Sequence, residues 1–382
     1  MRVMYIAPRF HTNQLDIIRG WLEHGDQVCF VSHYKGKTED YTDIEPLVIG
    51  YSKLFQLFYY FYVNVIFKDR PNAANIKLKC GFPPMGKIGK IIKEFQPDVV
   101  IIREKSVYSI FSYLSCRKQK VKSILYNQSP VWEDEIKTDL PHKIVNLFSP
   151  KYRMTPVWGK ENPKKVRDNN VYYIPFVMRP RFEPEEKYAN NGDKNSIEIF
   201  EVGKYEERKN HKMMVEIINE LKDKFPVHLS IAGECSTVFH QKYFKELEQM
   251  IKKYHLEERI TLHKNLDTKE MEKEYKKADV FVIPSTKEPA SISQLEAMAF
   301  SLPVICGDKN GTACYVEHGI NGYLFQDNDY ESLKNTIQKM ISNRNKMIQM
   351  GTESYGLILE KYQFKKYYKK IMEILKEYGK SN

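Results

Sequence analysis

Residues 278–325 read ADVFVIPSTKEPASISQLEAMAFSLPVICGDKNGTACYVEHGINGYLF, and this stretch decides the fold. Val280–Ile283 is an apolar run with the length and composition of a buried parallel strand. Pro284 and Ser285 end it, and a polar turn with Glu288 and Pro289 comes next. Ser291 or Ser293 is placed to cap a helix over Gln294–Ala299. Pro303–Cys306 forms a second strand, closed by the glycine-bearing loop Gly307–Gly311. Strand, loop, helix, strand is a βαβ unit, and open α/β sheets bind ligands at the carboxyl ends of their strands.

The loop before the helix offers backbone N–H groups at a helix start, which suits a phosphate. Glu288 and Glu296 flank it as E-x7-E. Carboxylates repel phosphate but accept hydrogen bonds from sugar hydroxyls. An anion-binding helix start between two acids therefore points to a nucleotide-activated sugar. On the residues alone the other reading stays open: one surface glutamate and one that solubilises a helix.

The run EPASISQLEAMAFSLPVI, residues 288–305, resembles the donor-site signature of retaining GT-B glycosyltransferases, in particular glycosyltransferase family 4. GTACYVEHGINGYLF, residues 311–325, resembles the pattern that comes after it in that family. A second signature is matched after the predicted strand Ile197–Val202, where Gly203-Lys204 is followed by Lys209. Gly233-Glu234, after the strand Val227–Ala232, resembles the family's turn beside the nucleotide. Without the E-x7-E stretch, Lys204 and Lys209 would read as a solvated basic turn.

The resemblance implies an α/β protein of GT-B fold: two Rossmann-like doubly wound domains facing across a cleft, with the C-terminal helix crossing back to the first. It implies that Glu288 holds the hydroxyls of the transferred sugar and Glu296 those of the ribose. Lys204, Lys209 and the N–H groups around Ala290, Ser291, Ile292 and Ser293 would meet the diphosphate, with Gly203 and Gly233 beside it. Glu288, Lys204 and Lys209 form the expected catalytic set, with no metal and no cofactor. The donor would be a nucleoside-diphosphate sugar, UDP- or GDP-linked, and the acceptor a glycan or lipid-linked chain, as in surface polysaccharide synthesis.

The chain departs from the family on the acceptor side. Its first loop, PRFHTNQ at residues 8–14, lacks glycine, and Asn127-Gln128 stands where many members carry histidine. The acceptor-side candidates are accordingly His11, Arg103 (followed by Glu104) and Asn127. No glycine occurs in residues 262–266, where relatives pack the nucleobase.

The first half alternates strands (residues 3–7, 28–32, 99–102, 123–126) with helices (15–24, 85–95, 106–116), the pattern of a parallel sheet. A run rich in Pro, Gly and charge gives an expected linker at 178–195, between domains at 1–177 and 196–361, with a terminal helix over 362–382. At 382 residues, 42% hydrophobic and 29% charged, the chain can bury two cores. The net charge of +11 favours anionic partners, among them an acidic membrane surface. Residues 54–67 are apolar and aromatic but too short to span a bilayer, so a buried or surface-docking helix is expected. The six cysteines show no metal-ligand spacing and read as reduced. No signal peptide is expected, which gives a cytoplasmic location, peripheral at the membrane's inner face. G-x-G-x-x-G and P-loop motifs are absent, and Asp327-Asn328-Asp329 reads as a turn rather than a metal motif. An inactive glycosyltransferase-like binding subunit and a DNA-modifying glucosyltransferase are the alternatives, although no nucleic-acid motif is present.

Overall fold

A computed structural model describes residues 1–36, 40–62, 77, 79–103, 106–133, 146–159, 166–167, 170–189 and 196–380. Glu104, residues 63–67 of the aromatic run and residues 190–195 of the expected linker lie outside them. The chain forms two units, Met1–Val177 with Phe364–Asn382, and Met178–Gln363.

The first unit runs β1 (Arg2–Ala7), α1 (Leu15–Glu23), β2 (Gln27–Ser32), β3 (Leu47–Val48), α2 (Lys53–Phe61), α3 (Met85–Phe95), β4 (Val99–Arg103), α4 (Val107–Lys118), β5 (Lys122–Tyr126), β6 (Trp132–Glu133), β7 (Tyr152–Thr155), β8 (Val166–Arg167) and β9 (Val171–Tyr173). Seven of these strands form one parallel sheet in the order β3-β2-β1-β4-β5-β7-β9, while β6 and β8 pair as a separate antiparallel ribbon. Strand periodicity sends Val3 and Tyr5 into one apolar cluster and Met4 and Ile6 into another, so both faces of the sheet are covered. Ser106 starts α4 by accepting from Ser109 N at 3.2 Å. Gln96 ends α3 in the left-handed region, with φ of 48°.

The second unit runs α5 (Pro184–Tyr188), β10 (Ile197–Val202), α6 (His211–Leu221), β11 (Val227–Gly233), α7 (Val238–Lys253), β12 (Ile260–Lys264), α8 (Thr268–Lys277), β13 (Val280–Ile283), α9 (Ile292–Ala299), β14 (Val304–Gly307), β15 (Gly322–Phe325), α10 (Tyr330–Ile341) and α11 (Arg344–Lys361). Its sheet is parallel throughout, in the order β12-β11-β10-β13-β14-β15. The expected boundaries on β10 are met residue for residue, and α9 starts two residues earlier than expected.

Part of the stretch expected as a linker is fastened within the second unit. Arg181 N and Phe182 N donate to Ala299 O at 2.9 and 3.1 Å. Lys187 Nζ caps the end of α8 through the carbonyls of Tyr275, Lys276 and Ala278 at 2.6–2.9 Å.

The last helix, α12 (Phe364–Lys380), returns to the first unit. It buries Tyr367, Ile371, Ile374 and Leu375, one helical face, in the cluster with Tyr5 and Trp21. Trp21 Nε1 donates to Tyr5 Oη at 2.8 Å, and Tyr5 Oη lies 3.2 Å from Tyr367 Oη. Each fully buried apolar side chain contributes about 1.5–3 kcal/mol, so this docking is a large share of a typical stability of about 5–15 kcal/mol. Among the described residues no helix is long and apolar enough to cross a membrane.

Two substitutions of the same type should have opposite signs. A Cβ at Gly20 would lie 2.2 Å from the Phe364 ring, whereas one at Gly356 meets nothing within 4 Å. Urea denaturation should show Gly20→Ala destabilised by about 1–3 kcal/mol and Gly356→Ala stabilised by about 0.5–1 kcal/mol. His33 gives a pH signature. It is buried, its ring stacks on Tyr108 at 3.6 Å, and burial lowers its pKa to about 3. The unfolded chain binds this proton more tightly, so stability is complete above the ordinary value of 6.5 and falls as pH drops toward 3. His33→Leu should remove about one proton, or about 1.4 kcal/mol per pH unit, from the slope measured between those limits.

Candidate functional site

In the second sheet the strand order reverses between β10 and β13, so the loops after these two strands open side by side. The loop after β10 turns through a short 3-10 segment, Glu207–Lys209, and ends at Asn210, whose φ is 57°. Asn210 Nδ2 donates to Pro284 O at 2.8 Å, and Thr286 N donates to Arg208 O at 2.9 Å. The two loops are thus bonded together before any charged side chain is counted.

Glu288 lies at the centre. Its Oε2 accepts from Lys209 Nζ at 2.5 Å and from Arg208 Nη1 at 2.8 Å. The Lys209 and Glu288 side chains are 9% and 10% exposed, so the pair is nearly removed from water. Burial pushes the carboxyl upward, but the charge and hydrogen bond of Lys209, with those of Arg208, outweigh it. Glu288 is held below the usual carboxylate range. Both cations take the same oxygen, and no bond from the described residues reaches Oε1. That leaves an ionised acceptor for a hydroxyl ligand.

Two glycines leave room for this geometry. A Cβ on Gly203 would come 2.9 Å from Lys209 Cδ, and one on Gly233 would come 1.9 Å from the Gly203 carbonyl. Lys204 pairs with Glu234 at 2.9 Å across the mouths of β10 and β11. Beneath the loop, His211 lies 2.6 Å from Glu201 and 3.0 Å from the Lys204 carbonyl, with both side chains essentially buried.

Ser291 holds the N-cap position of α9 but makes no side-chain cap; its hydroxyl lies 2.7 Å from that of Ser293. Ala290 and Ile292 flank it, both half-buried. Glu296, also half-buried, accepts from Tyr275 Oη at 2.9 Å, and burial followed by the Glu296 charge pushes that phenol well up. Gln294 is fully buried and donates to Thr312 O at 3.1 Å, fixing α9 to the turn Gly311–Tyr315. Gly311 N donates to the Glu288 carbonyl at 2.9 Å. Asp329 caps α10 through Ser332 N at 2.8 Å, and Asp327 accepts from Thr286 at 3.1 Å, so the Asp327–Asp329 turn serves structure.

Several residues of the site escape a reading of the sequence. Arg208 is the second cation on Glu288, hidden in the charged run Glu206–Lys209. Asn265 takes φ of 53°, the conformation a glycine would supply, and its Oδ1 accepts from Cys235 N at 2.8 Å.

In the first unit, His11 caps the 3-10 turn Thr12–Gln14 by accepting from Asn13 N at 3.4 Å. Arg103 Nη1 donates to Asn13 Oδ1 at 3.4 Å and its guanidinium lies 5.5 Å from the Tyr126 ring centre. These last three residues line a cavity with Gln14, Met154 and Phe176. Asn127 is buried and accepts from Ser129 N at 3.3 Å. Arg103 lines the cavity, while His11 and Asn127 hold their turns.

Residues 182–357 match the family model described as glycosyl transferases group 1. That match lies wholly within the second unit. Over 285 residues the chain is 24% identical to an uncharacterized glycosyltransferase of Haemophilus influenzae, an alignment covering 73% of this chain and 76% of that one. It is 23% identical over 205 residues to the GDP-Man:Man(3)GlcNAc(2)-PP-Dol alpha-1,2-mannosyltransferase of Caenorhabditis elegans, covering 50% and 42%. The crystal structure of the Anabaena HepE protein in complex with UDP matches with a TM-score of 0.72 at 14% identity, over 99% of this chain and 100% of that one. The fold is GT-B, with two Rossmann-like domains.

Lys209→Met tests the central pair. With Arg208 as the remaining partner, the buried Glu288 should cost about 1–3 kcal/mol, read as a lower denaturant midpoint at neutral pH. The loss should shrink in acid, where the carboxylate of the variant takes up a proton.

Proposed function

We propose that this protein is a group 1 glycosyltransferase, a retaining, metal-independent enzyme that moves a sugar from a nucleoside-diphosphate sugar to a glycan or lipid-linked acceptor. The observation that carries this reading is Glu288, an ionised carboxylate with one oxygen locked by Lys209 and Arg208 and the other left to a hydroxyl, next to the uncapped start of α9. The relatives support it: the HepE structure holds UDP, and the mannosyltransferase's name gives a GDP-sugar donor and a diphosphate-dolichol acceptor.

In this reading the second unit binds the donor and the first unit the acceptor. Glu288 Oε1 accepts from the transferred sugar, and Glu296 from the ribose hydroxyls. As the bond from the sugar to the diphosphate breaks, the electron pair leaves with the diphosphate. Lys209, Arg208 and Lys204, with the N–H groups of residues 291–293, stabilise that growing charge. The acceptor hydroxyl attacks on the face from which the diphosphate departs, its proton passing to an oxygen of the leaving diphosphate, and configuration is kept. Arg103 and Asn13 orient the acceptor.

Glu288→Gln should lower turnover at least about 100-fold in a nucleotide-release assay, with the circular dichroism of the folded protein retained. Unchanged turnover would remove Glu288 from the site. A nucleotide series run by thermal shift should show selective stabilisation by one nucleoside diphosphate, about 2.7 kcal/mol at a hundredfold excess over Kd, and Lys209→Ala should abolish it.

A further inference from the structure

Helix α2 turns an apolar face to solvent. Leu54, Leu57, Phe58 and Phe61 recur at the spacing of one helical face and are 57, 67, 62 and 56% exposed. The opposite side is already seated: Phe55 is buried, with the rings of Tyr51, Tyr59 and Phe82 at 5.5–5.8 Å. The outer face therefore adds nothing to the core beneath it. Single exposed apolar residues are ordinary, whereas a contiguous apolar face marks an interaction surface.

Charge selects the partner. Between Pro46 and Lys93 the sequence carries eight lysines and arginines against one acid, Asp69. Lys53 opens the helix and Lys79 is exposed, while Lys77 lies 5.2 and 5.4 Å from the Tyr51 and Tyr59 ring centres. Leucine and phenylalanine on one face with lysines at its margin is the composition of a helix lying in the headgroup layer of an anionic bilayer. The helix also starts from the carboxyl edge of the first sheet. Tyr108 Oη donates to Gly50 O at 3.0 Å, and Tyr51 Oη lies 3.3 Å from the His33 ring, just after β2. Arg103, the last residue of β4, and the loops carrying His11 and Asn127 lie at that same edge.

We propose that the Leu54-Leu57-Phe58-Phe61 face, with its flanking lysines, docks the first unit onto an anionic phospholipid surface. Docking needs neither donor nor acceptor, so it is measured independently of sugar transfer. The full chain should co-sediment with vesicles of mixed phosphatidylcholine and phosphatidylglycerol, and more weakly with phosphatidylcholine alone. Leu57→Ser with Phe58→Ser should lose more than about tenfold in vesicle affinity at an unchanged melting temperature. Lys53→Glu with Lys79→Glu should weaken binding to the mixed vesicles and leave binding to neutral ones unaltered. Absence of wild-type binding, or equal binding by the serine variant, would overturn the proposal. So would a concentration-dependent dimer that the serine variant dissolves while vesicle binding is missing, which would give the face to a second copy of the chain.

Discussion

The second sheet reverses its strand order between β10 and β13, and the site depends on that reversal. Lys209 and Glu288 are 79 residues apart in the chain, yet their loops leave adjacent strands. Crossovers on opposite faces of the sheet keep the helices from filling the space between those loops. The remaining steps are local: Asn210 and Thr286 bind the loops together, Gly203 and Gly233 clear the path, and the lysine reaches the carboxylate. A nearly buried ion pair is a poor way to gain stability, because desolvation opposes the Coulomb attraction. Its presence at a switch point is better explained by what an ionised carboxylate can bind.

Much of this architecture is legible in the sequence because the buried strands are plain apolar runs. Val280–Ile283 and Ile197–Val202 coincide with β13 and β10. The unread elements have physical reasons. Strand β7 reads YRMT, with a buried Arg153 that breaks the apolar signal. Strand β15 reads GYLF and opens with Gly322, a residue that weakens strand propensity. Glycine is required there because a Cβ would sit 2.0 Å from the Val304 carbonyl. A sequence reports which residues are apolar more readily than which backbones touch.

The site itself is legible as an inventory and less so as a set of pairings. Glu288 and Lys209 are named by their motifs, but nothing in a run of Glu, Glu, Arg and Lys says that Arg208 shares the same carboxylate oxygen. Glu201 looks like an outward-facing strand residue by alternation, and it is 1% exposed because His211 lies against it. Asn265 illustrates substitution by conformation: a left-handed asparagine fills the place of a glycine and adds a hydrogen bond that glycine lacks. Charge runs read as solvated until the fold supplies a partner.

The return of α12 to the first unit has a consequence for biosynthesis. Synthesis runs from the amino end, and domains commonly fold as they emerge from the ribosome. Here residues 1–177 emerge with Trp21, Tyr5 and the apolar side chains around them uncovered, since Tyr367, Ile371 and Ile374 are made only after the second unit. The first unit thus waits, incomplete, through translation of the whole second unit. A nascent chain halted in the second unit would present that aromatic surface to chaperones and proteases, so the closing helix acts as a seal on finished molecules.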